Sequence, residues 1–399
     1  MSTSLARPSY AAVLRLPHAR RTFLAALVGR MSYGTVSIAL MLSLTRASGS
    51  YAVAGSVMAL FGAAGVLLSP YRAALVDRHG SRRALLPLAL LYAGLLCALA
   101  VVCLRPGVSP AVLAVTAAAA GACQPPLGPT MRTVWAELTV DRQLLQRAYS
   151  LDAVAEELLY VTGPLAVGVV VGLASPAAGV LLSAGLMAAG TLAFVTSPAV
   201  ASVRPLPGRT PRRTRGVSVL SRALLRPVVV IAGVGLALSA VELLVVAYAA
   251  QRHHGDETVA WVLAALAAGS AVGGLLNGAV AWRAPARVRL PLLAAGLGVT
   301  LAAAGLAPGI GTLTVAVTCA GLFIAPALTT AYLIADETAA PGTRTQAGAW
   351  INTAVNAGAA AGAAAVGLLV ERLPLAACFA VAGAVALVGA VACGAGQGD

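Results

Sequence analysis

Apolar residues run in long blocks along almost the whole of this 399-residue chain, and short polar gaps separate the blocks. Each block has about twenty residues, the length that an α-helix needs to cross a bilayer core of about 30 Å. The blocks lie at 23–45, 52–75, 84–104, 111–134, 148–173, 177–197, 228–250, 258–281, 290–307, 311–335, 346–370 and 374–394. The pattern predicts an all-α membrane protein with twelve transmembrane helices and no large soluble domain.

The longest polar gap, at 198–227, divides the twelve blocks into two groups of six. We expect this gap to be a linker between an N-terminal bundle at 23–197 and a C-terminal bundle at 228–394. Short segments at 1–22 and 395–399 would flank the two bundles.

A faint repeat relates the two halves. The stretch VWAEL at 134–138 resembles LIADE at 333–337, at an offset of 199 residues. Further matches, at an offset of 200 residues, are Gly121 with Gly321 and Pro126 with Pro326. Because the offset is nearly constant, we expect two similar bundles related by a pseudo-twofold axis, an arrangement typical of transporters.

Charge is scarce and lies mainly in the polar gaps. Only 10% of the residues are charged, the net charge is +14, and all 27 basic residues are Arg. With the N-terminus in the cytoplasm, 22 Arg fall on the cytoplasmic side, including four in 72–83 and three in 132–147, and four fall on the opposite side. Because cytoplasmic loops carry the excess of positive charge, we expect both termini in the cytoplasm and the chain in the cytoplasmic (inner) membrane.

The residues that nucleic-acid binding, metal binding or catalysis would need are not grouped in this sequence. The Arg residues are dispersed between apolar blocks, which argues against a nucleic-acid partner. The six Cys lie singly in apolar blocks and the four His lie in loops, so no metal set forms. No phosphate-binding glycine loop is present. We therefore expect no metal, no cofactor and no enzymatic activity.

A dense group of charges follows the second block, in AALVDRHGSRR at 73–83. So short a turn between two helices needs Gly80 to end the first one. The stretch resembles the signature G-x-L-x-D-R-x-G-R-R of the major facilitator superfamily, which lies in the same loop, with Ala73 in place of the first Gly. The matching residues are Leu75, Asp77, Arg78, Gly80, Arg82 and Arg83.

The resemblance extends over essentially the whole chain and implies the major facilitator fold of two six-helix bundles. It implies a monomeric secondary transporter in the lipid bilayer that works by alternating access on a small-molecule substrate. The chain is most similar to the proton-coupled exporters of that superfamily, which implies efflux of small amphipathic molecules in exchange for protons. Proton-coupled import of a small solute is the alternative, followed by a polytopic membrane enzyme or a sensor.

The resemblance also implies a gate at the charged loop. Asp77 and Arg78 would join a charge network to the other half, including the start of span eleven near Thr345, and hold the inner gate shut. Arg82 and Arg83 would anchor span three at the anionic leaflet. The second half has Ala281 where Asp77 would fall, so we expect the latch on one side only. Plain topogenic charge is the alternative for the loop.

Ionisable residues inside the apolar blocks are functional candidates, because a charge within a bilayer is costly. They are Arg30, Asp152, Glu156, Glu157 and Glu242. Arg30 and Glu156 lie at similar depth, each nine residues from a flanking Arg. We expect Arg30 to pair with Glu156 or Glu157, which leaves the other carboxylate to take up a proton. A purely structural ion pair is the alternative.

Two asparagines in span eleven and an arginine in span four bear on the same cavity. Asn352 and Asn356 lie four residues apart on one helix face, where they would line the cavity or bond to another helix. The related exporters usually carry an Arg deep in span four. Here Arg132 is the first Arg of that span; we expect it near the inner surface, with Arg30 in the deeper role.

Glycine and proline residues mark places where helices would bend. The related exporters carry a Gly-Pro motif in span five, and Gly163 and Pro164 match its first two positions. We expect this pair, together with Pro126 and Pro326, to allow close packing and local bends.

Overall fold

The structure is a computed structural model that describes residues 9–105, 107–139, 141–202 and 221–394. Regular secondary structure in these ranges is entirely helical. The helices are α1 (Tyr10–Arg15), α2 (Ala19–Ser48), α3 (Tyr51–Leu67), α4 (Ser69–His79), α5 (Ser81–Cys103), α6 (Pro110–Cys123), α7 (Leu127–Leu138), α8 (Arg142–Leu173), α9 (Pro176–Val195), α10 (Pro198–Ser202), α11 (Arg222–Gln251), α12 (Asp256–Ala279), α13 (Ala286–Ala304), α14 (Ile310–Thr338), α15 (Arg344–Leu369) and α16 (Leu375–Gly394).

The described part of the chain contains ten helical segments long and apolar enough to cross a membrane, with α6 and α7 counted as one. Helices α3 and α4 meet at a bend of 40° and together form an eleventh. Leu375–Val391, within α16, is a shorter apolar helix. The protein is therefore an all-α, multi-pass membrane protein, and the predicted total of twelve spans requires α16 to cross as well.

The helices form two bundles with the same internal pairing. In the first bundle, α2 packs against α8 and α9, α5 packs against α6 and α9, and α3 packs against α6. In the second, α11 packs against α15 and α16, α13 packs against α14 and α16, and α12 packs against α14. Corresponding spans make corresponding pairs, so the two halves repeat one arrangement.

The predicted linker at 198–227 is helical at both ends. Its start forms α10, and α11 begins at Arg222, where the side chain of Ser221 caps the helix by accepting from the Leu224 amide. Residues 203–220, and likewise 1–8 and 395–399, lie outside the described residues. The predicted boundaries of the bundles and terminal segments therefore stay predictions.

The two bundles meet along a seam between their inner helices. Helix α8 packs against α12 and α14, and α15 packs against α4 and α7. We call the end of the molecule where α10 ends and α11 begins the linker face. The C-terminal ends of α4, α7, α12 and α14 and the N-terminal ends of α2, α8 and α15 also lie at this face, because consecutive spans alternate in direction.

Prolines break span four of the first bundle. A proline has no backbone N–H, so the carbonyl four residues before it loses its helical donor. Pro125 and Pro126 lie between α6 and α7 and thereby release the carbonyls of Gly121 and Ala122. Such carbonyls need another donor in an apolar interior.

Arg72 supplies that donor. Its Nη1 donates to the carbonyls of Gly121 and Ala122, at 3.1 and 3.0 Å, and its Nη2 donates to Gly65 beside the break between α3 and α4. The sequence pattern groups Arg72 with the loop charges, but its side chain is buried inside the first bundle. The reason is that two broken helices offer their free carbonyls at this one point.

Of the three prolines expected to bend helices, Pro126 lies at a break, whereas Pro164 and Pro326 lie inside the continuous helices α8 and α14. Gly163 has a packing role. A Cβ atom there would lie 2.7 Å from the carbonyl carbon of Gly34, so α8 and α2 touch through their backbones.

Substitution of Gly163 tests this contact. We expect Gly163→Ala to destabilise the protein by about 1–3 kcal/mol, because the new methyl group overpacks the α2–α8 contact. Gly168→Ala is the matched control on the same helix, since a Cβ at Gly168 meets nothing within 4 Å. Apparent melting temperatures in detergent compare the two; equal melting temperatures would contradict the close contact.

Substitution of Arg72 tests the proline breaks. We expect Arg72→Met to cost about 2–3 kcal/mol, because it leaves the buried carbonyl of Ala122 without a donor. The control is Arg82→Met, since Arg82 is exposed and makes no hydrogen bond or ion pair with any described residue. Thermal unfolding in detergent is the measurement, and an Arg72→Met protein as stable as the control would refute this role for Arg72.

Candidate functional site

Four charged side chains form a buried cluster in the first bundle. Arg30 lies on α2, Arg132 on α7, and Asp152 and Glu156 lie four residues apart on α8. Nη1 of Arg30 donates to Oδ1 of Asp152 at 2.6 Å, and its Nη2 lies 3.1 Å from Oε2 of Glu156. Nε of Arg132 lies 3.0 Å from Oδ2 of Asp152, and its Nη2 donates to Oε2 of Glu156 at 2.5 Å. Each carboxylate therefore contacts both guanidinium groups.

This charge cluster is electrically balanced. Two positive and two negative groups alternate, which offsets the desolvation that each buried charge suffers. The side chain of Asp152 is fully buried, whereas that of Glu156 is 26% exposed, so Glu156 is the member that reaches open space. Gly128 lies against the cluster, because a Cβ there would be in ordinary van der Waals contact with Glu156 Oε1, at 3.9 Å.

The expected position of Arg132 near the surface is wrong. Arg132 is only 4% exposed and belongs to the cluster together with Arg30, so neither arginine replaces the other. Its place follows from the proline break, since α7 begins only at Leu127 and Arg132 stands in its second turn. The signal in the sequence was the second acid in span five, because Asp152 and Glu156 together need more positive charge than Arg30 supplies.

Glu157 stands apart from the charge cluster. It lies about 100° around α8 from Glu156. Its Oε1 accepts a hydrogen bond of 2.9 Å from Ser270 Oγ on α12, across the seam between the bundles. Among the described residues, no cation pairs with Glu157. The structure thus pairs Arg30 with Glu156, and Glu157 is the carboxylate that has no cation.

Glu242, on α11, shares the space near Glu157. Its side chain is exposed, and the two carboxylates are close enough to repel each other electrostatically. Glu242 makes no hydrogen bond or ion pair with any residue that the structure describes. The region in front of the charge cluster therefore carries two uncompensated acidic side chains.

The two asparagines bond to each other within α15. Nδ2 of Asn356 donates to the carbonyl of Asn352 at 2.7 Å. Asn356 is exposed and Asn352 partly buried, and neither makes a hydrogen bond to another helix among the described residues. The alternative role in bonding between helices is therefore not seen, and a role in lining the cavity stays a prediction.

Asp77 joins the two bundles at the linker face. Its carboxylate accepts from the backbone amides of Thr345 and Gln346, at 3.1 and 2.8 Å, at the start of α15. A carboxylate is favoured there because the first amides of a helix lack helical acceptors and carry the positive end of its dipole. Helix α4, which carries Asp77, ends at Gly80, whose φ of 84° is a conformation that suits glycine.

Arg78 does not take part in this contact, contrary to expectation. It is exposed, as are Arg82 and Arg83, and none of the three forms an ion pair with a described residue. The neighbouring position on a helix points about 100° away, so Arg78 faces away from the seam when Asp77 faces it. The ion pairs between the halves are made by other residues, Arg142 with Glu337 and Arg344 with Glu137 at 2.7 Å. Within the second bundle, Arg344 also lies 3.3 Å from Asp336.

The equivalent place in the second half, between α8 and α12, closes without a carboxylate. Nε2 of Gln146 donates to the carbonyl of Asn277 at 2.5 Å, and Nη1 of Arg289 donates to Oε1 of Gln146 at 3.2 Å. The hydroxyl of Tyr10, in α1, donates to the carbonyl of Leu275 at 2.6 Å. Burial raises the pKa of Tyr10, so its hydroxyl keeps the proton that it donates.

The polar contacts between the bundles lie on one side of the part of the molecule that the structure describes. Within the described ranges, every hydrogen bond and ion pair that crosses the seam lies between the linker face and the level of Glu157 and Thr353. The bundles are thus held together at the linker face, and the charge cluster and Glu157 lie at the inner end of the space that remains. Such an arrangement leaves acidic side chains between the bundles, where they can contact a small molecule.

Solved transporter structures share this fold. The human organic anion transporter MFSD10 (TETRAN) aligns over 97% of this chain and 100% of its own, with a TM-score of 0.73 and 14% identity. A bacterial homologue of the iron transporter ferroportin, in an outward-facing state, aligns over 95% and 98%, with a TM-score of 0.69 and 14% identity. A variant of the E. coli fucose:proton symporter FucP aligns over 96% and 99%, with a TM-score of 0.69 and 15% identity.

Sequence comparison assigns the family. No curated protein sequence matches the chain. The family model described as Major Facilitator Superfamily matches residues 22–317 and 244–395, which together span nearly the whole chain. Proteins of this family carry small molecules across membranes and are not enzymes. With its apolar helices, its two repeated bundles and this match, the chain belongs to the major facilitator superfamily of transporters.

Proposed function

We propose that this protein exports small amphipathic molecules across the cytoplasmic membrane in exchange for protons. It works as a monomer by alternating access, with both termini in the cytoplasm. The orientation is supported by the Arg residues, of which 22 fall on the side of the termini and four on the other. The linker face is then the cytoplasmic side.

The observation that carries proton coupling is the separation of Glu157 from the charge cluster. Protonation of Asp152 or Glu156 would leave two buried guanidinium groups short of a partner. Protonation of Glu157 breaks no ion pair, because its one hydrogen bond comes from the neutral hydroxyl of Ser270. Of the three acids on α8, Glu157 is therefore the one that can gain and lose a proton at the smallest cost to the structure.

Glu157 is also placed to link its proton to movement. The ionised carboxylate accepts from Ser270 across the seam, whereas a protonated carboxyl group can itself donate. A change of protonation thus alters a contact between the two bundles at the depth of the cavity. Glu242 lies nearby and serves as a second acidic position, for a proton or for the cationic group of a substrate.

The closed linker face corresponds to one state of the proposed export cycle. With that face in the cytoplasm, the bundles are sealed on the inside, and the cavity faces outward, the state that releases an exported molecule and takes up protons. Proton-coupled import is the competing function, since a fucose:proton symporter shares the fold. The two functions differ in the sign of the flux that one gradient drives.

The role of Glu157 is tested with purified protein in liposomes. Ethidium and a neutral amphipathic dye serve as probes, and pyranine in the lumen reports protons. We expect Glu157→Gln to abolish dye movement driven by a pH gradient, and to keep dye exchange without a gradient, because the amide binds no exchangeable proton. The control is Glu257→Gln, in the exposed first turn of α12. Coupled transport of both dyes by Glu157→Gln at the control rate would refute the assignment.

The direction of transport is tested in inverted membrane vesicles, in which the cytoplasmic face points outward. An acidic lumen should drive accumulation of the dyes if the protein is an antiporter, because protons leave the lumen as the dye enters. Import by symport predicts the reverse, with an acidic lumen driving dye out.

The position of the termini is tested with fusion proteins. Alkaline phosphatase fused after His254 should be active, and a fluorescent protein fused after Asp399 should fluoresce, if both termini are cytoplasmic.

A further inference from the structure

A buried arginine and a buried tyrosine from opposite bundles are stacked between the charge cluster and the linker face. The guanidinium carbon of Arg132, on α7, lies 3.7 Å from the centroid of the Tyr332 ring on α14. Arg132 is 4% exposed and Tyr332 is 6% exposed. A cation over an aromatic face is attracted most strongly when both groups are removed from water, as they are here.

The planar shape of the guanidinium group allows Arg132 to make all its contacts at once. Its edge donates to the two carboxylates of the charge cluster, through Nε to Asp152 and through Nη2 to Glu156. Its flat face stays free for the ring of Tyr332. A lysine could not hold both, because its ammonium group is a point charge without a face.

This stacking ties the charge cluster to the second bundle. Among the hydrogen bonds, ion pairs and ring contacts of the described residues, it is the one that joins a member of the cluster to a helix across the seam. A cavity of about 10 Å³ lies beside it, enough for about one water molecule, and Tyr149, Asp336 and Arg344 help to line it. The ring and the guanidinium group therefore help to seal the site from the linker face.

The ion pairs across this seal are less well placed to hold the bundles together. In the pair of Arg344 and Glu137 the side chains are 39% and 49% exposed, and in the pair of Arg142 and Glu337 they are 59% and 32% exposed. Exposed ion pairs contribute little, because water and salt screen them. The buried stack is protected from both.

The internal repeat explains why these two residues meet. Tyr332 lies 200 residues after Arg132, the same offset that relates Gly121 to Gly321. Counterparts in a pseudo-twofold repeat face each other when they lie near the axis, and the axis runs between the two bundles. A contact at this place must break when the bundles part at the linker face.

We propose that Tyr332 is a positioning residue of the inner gate, whose aromatic face holds Arg132 and keeps the linker face closed. The ring carries this effect and the hydroxyl does not. The inference requires alternating access, but it does not depend on proton coupling or on the direction of transport. A measurement of gate opening without a proton gradient or substrate therefore separates it from the proposed function.

The experiment compares a substitution that keeps the aromatic ring with one that removes it. Spin labels at Ala201→Cys on α10 and Ala284→Cys before α13, both exposed at the linker face, report the distance between the bundles in full-length protein whose native cysteines are replaced. We expect Tyr332→Leu to increase the ratio of open to closed linker face by about tenfold or more, as loss of a desolvated cation–π contact implies. Tyr332→Phe, which keeps the ring, should leave the distance distribution of the parent protein unchanged.

Three results would overturn the proposal. They are an unchanged distribution in Tyr332→Leu, an equal shift in Tyr332→Phe, or a shift in Tyr332→Leu toward shorter distances. Gel filtration establishes that each variant is folded and monodisperse. If Tyr332→Leu does not fold, Tyr332→Met provides the same comparison, because methionine fills the site with a flexible apolar chain that has no π face.

Discussion

The pairing of two buried arginines with one buried and one partly exposed carboxylate is the interaction on which the rest of this structure depends. An ion in the middle of a membrane protein is tolerated when an opposite charge lies against it, and Arg30, Arg132, Asp152 and Glu156 satisfy one another in this way. Their pairing connects spans one, four and five of the first bundle. It also distinguishes Glu157, which lies on α8 together with Asp152 and Glu156 but is not paired with either arginine.

A second constraint concerns backbone carbonyls. Prolines break span four where it borders the cavity, and the carbonyls that they release would be costly in an apolar interior. Arg72 resolves this by donating to carbonyls at the break in span four and at the break in span two. The first bundle thus has a fixed irregular segment, and that segment sets where α7 begins and where Arg132 points.

The seam between the bundles uses different chemistry at each depth. Exposed ion pairs lie at the linker face, a carboxylate caps a helix start at Asp77, an arginine stacks on Tyr332 further in, and Glu157 meets Ser270 deepest. Polar contacts suit a surface that must open and close, because both partners can be hydrated when they separate. A continuous apolar seam would have to expose its whole area to water instead.

The amino-acid sequence by itself determined the class of this protein. Apolar blocks of membrane length, a linker in the middle and the motif around Asp77 and Gly80 predict the family and its two bundles, because these features depend on local hydropathy and spacing. Only the tertiary structure showed which charged residues are buried together in the candidate site. Arg72 and Arg132 look like surface charges in sequence, and Arg78 looks like part of a latch, because sequence shows how far a residue is from a polar gap but not which way its helix turns. Whether a charge is buried depends on partners that other helices bring to it.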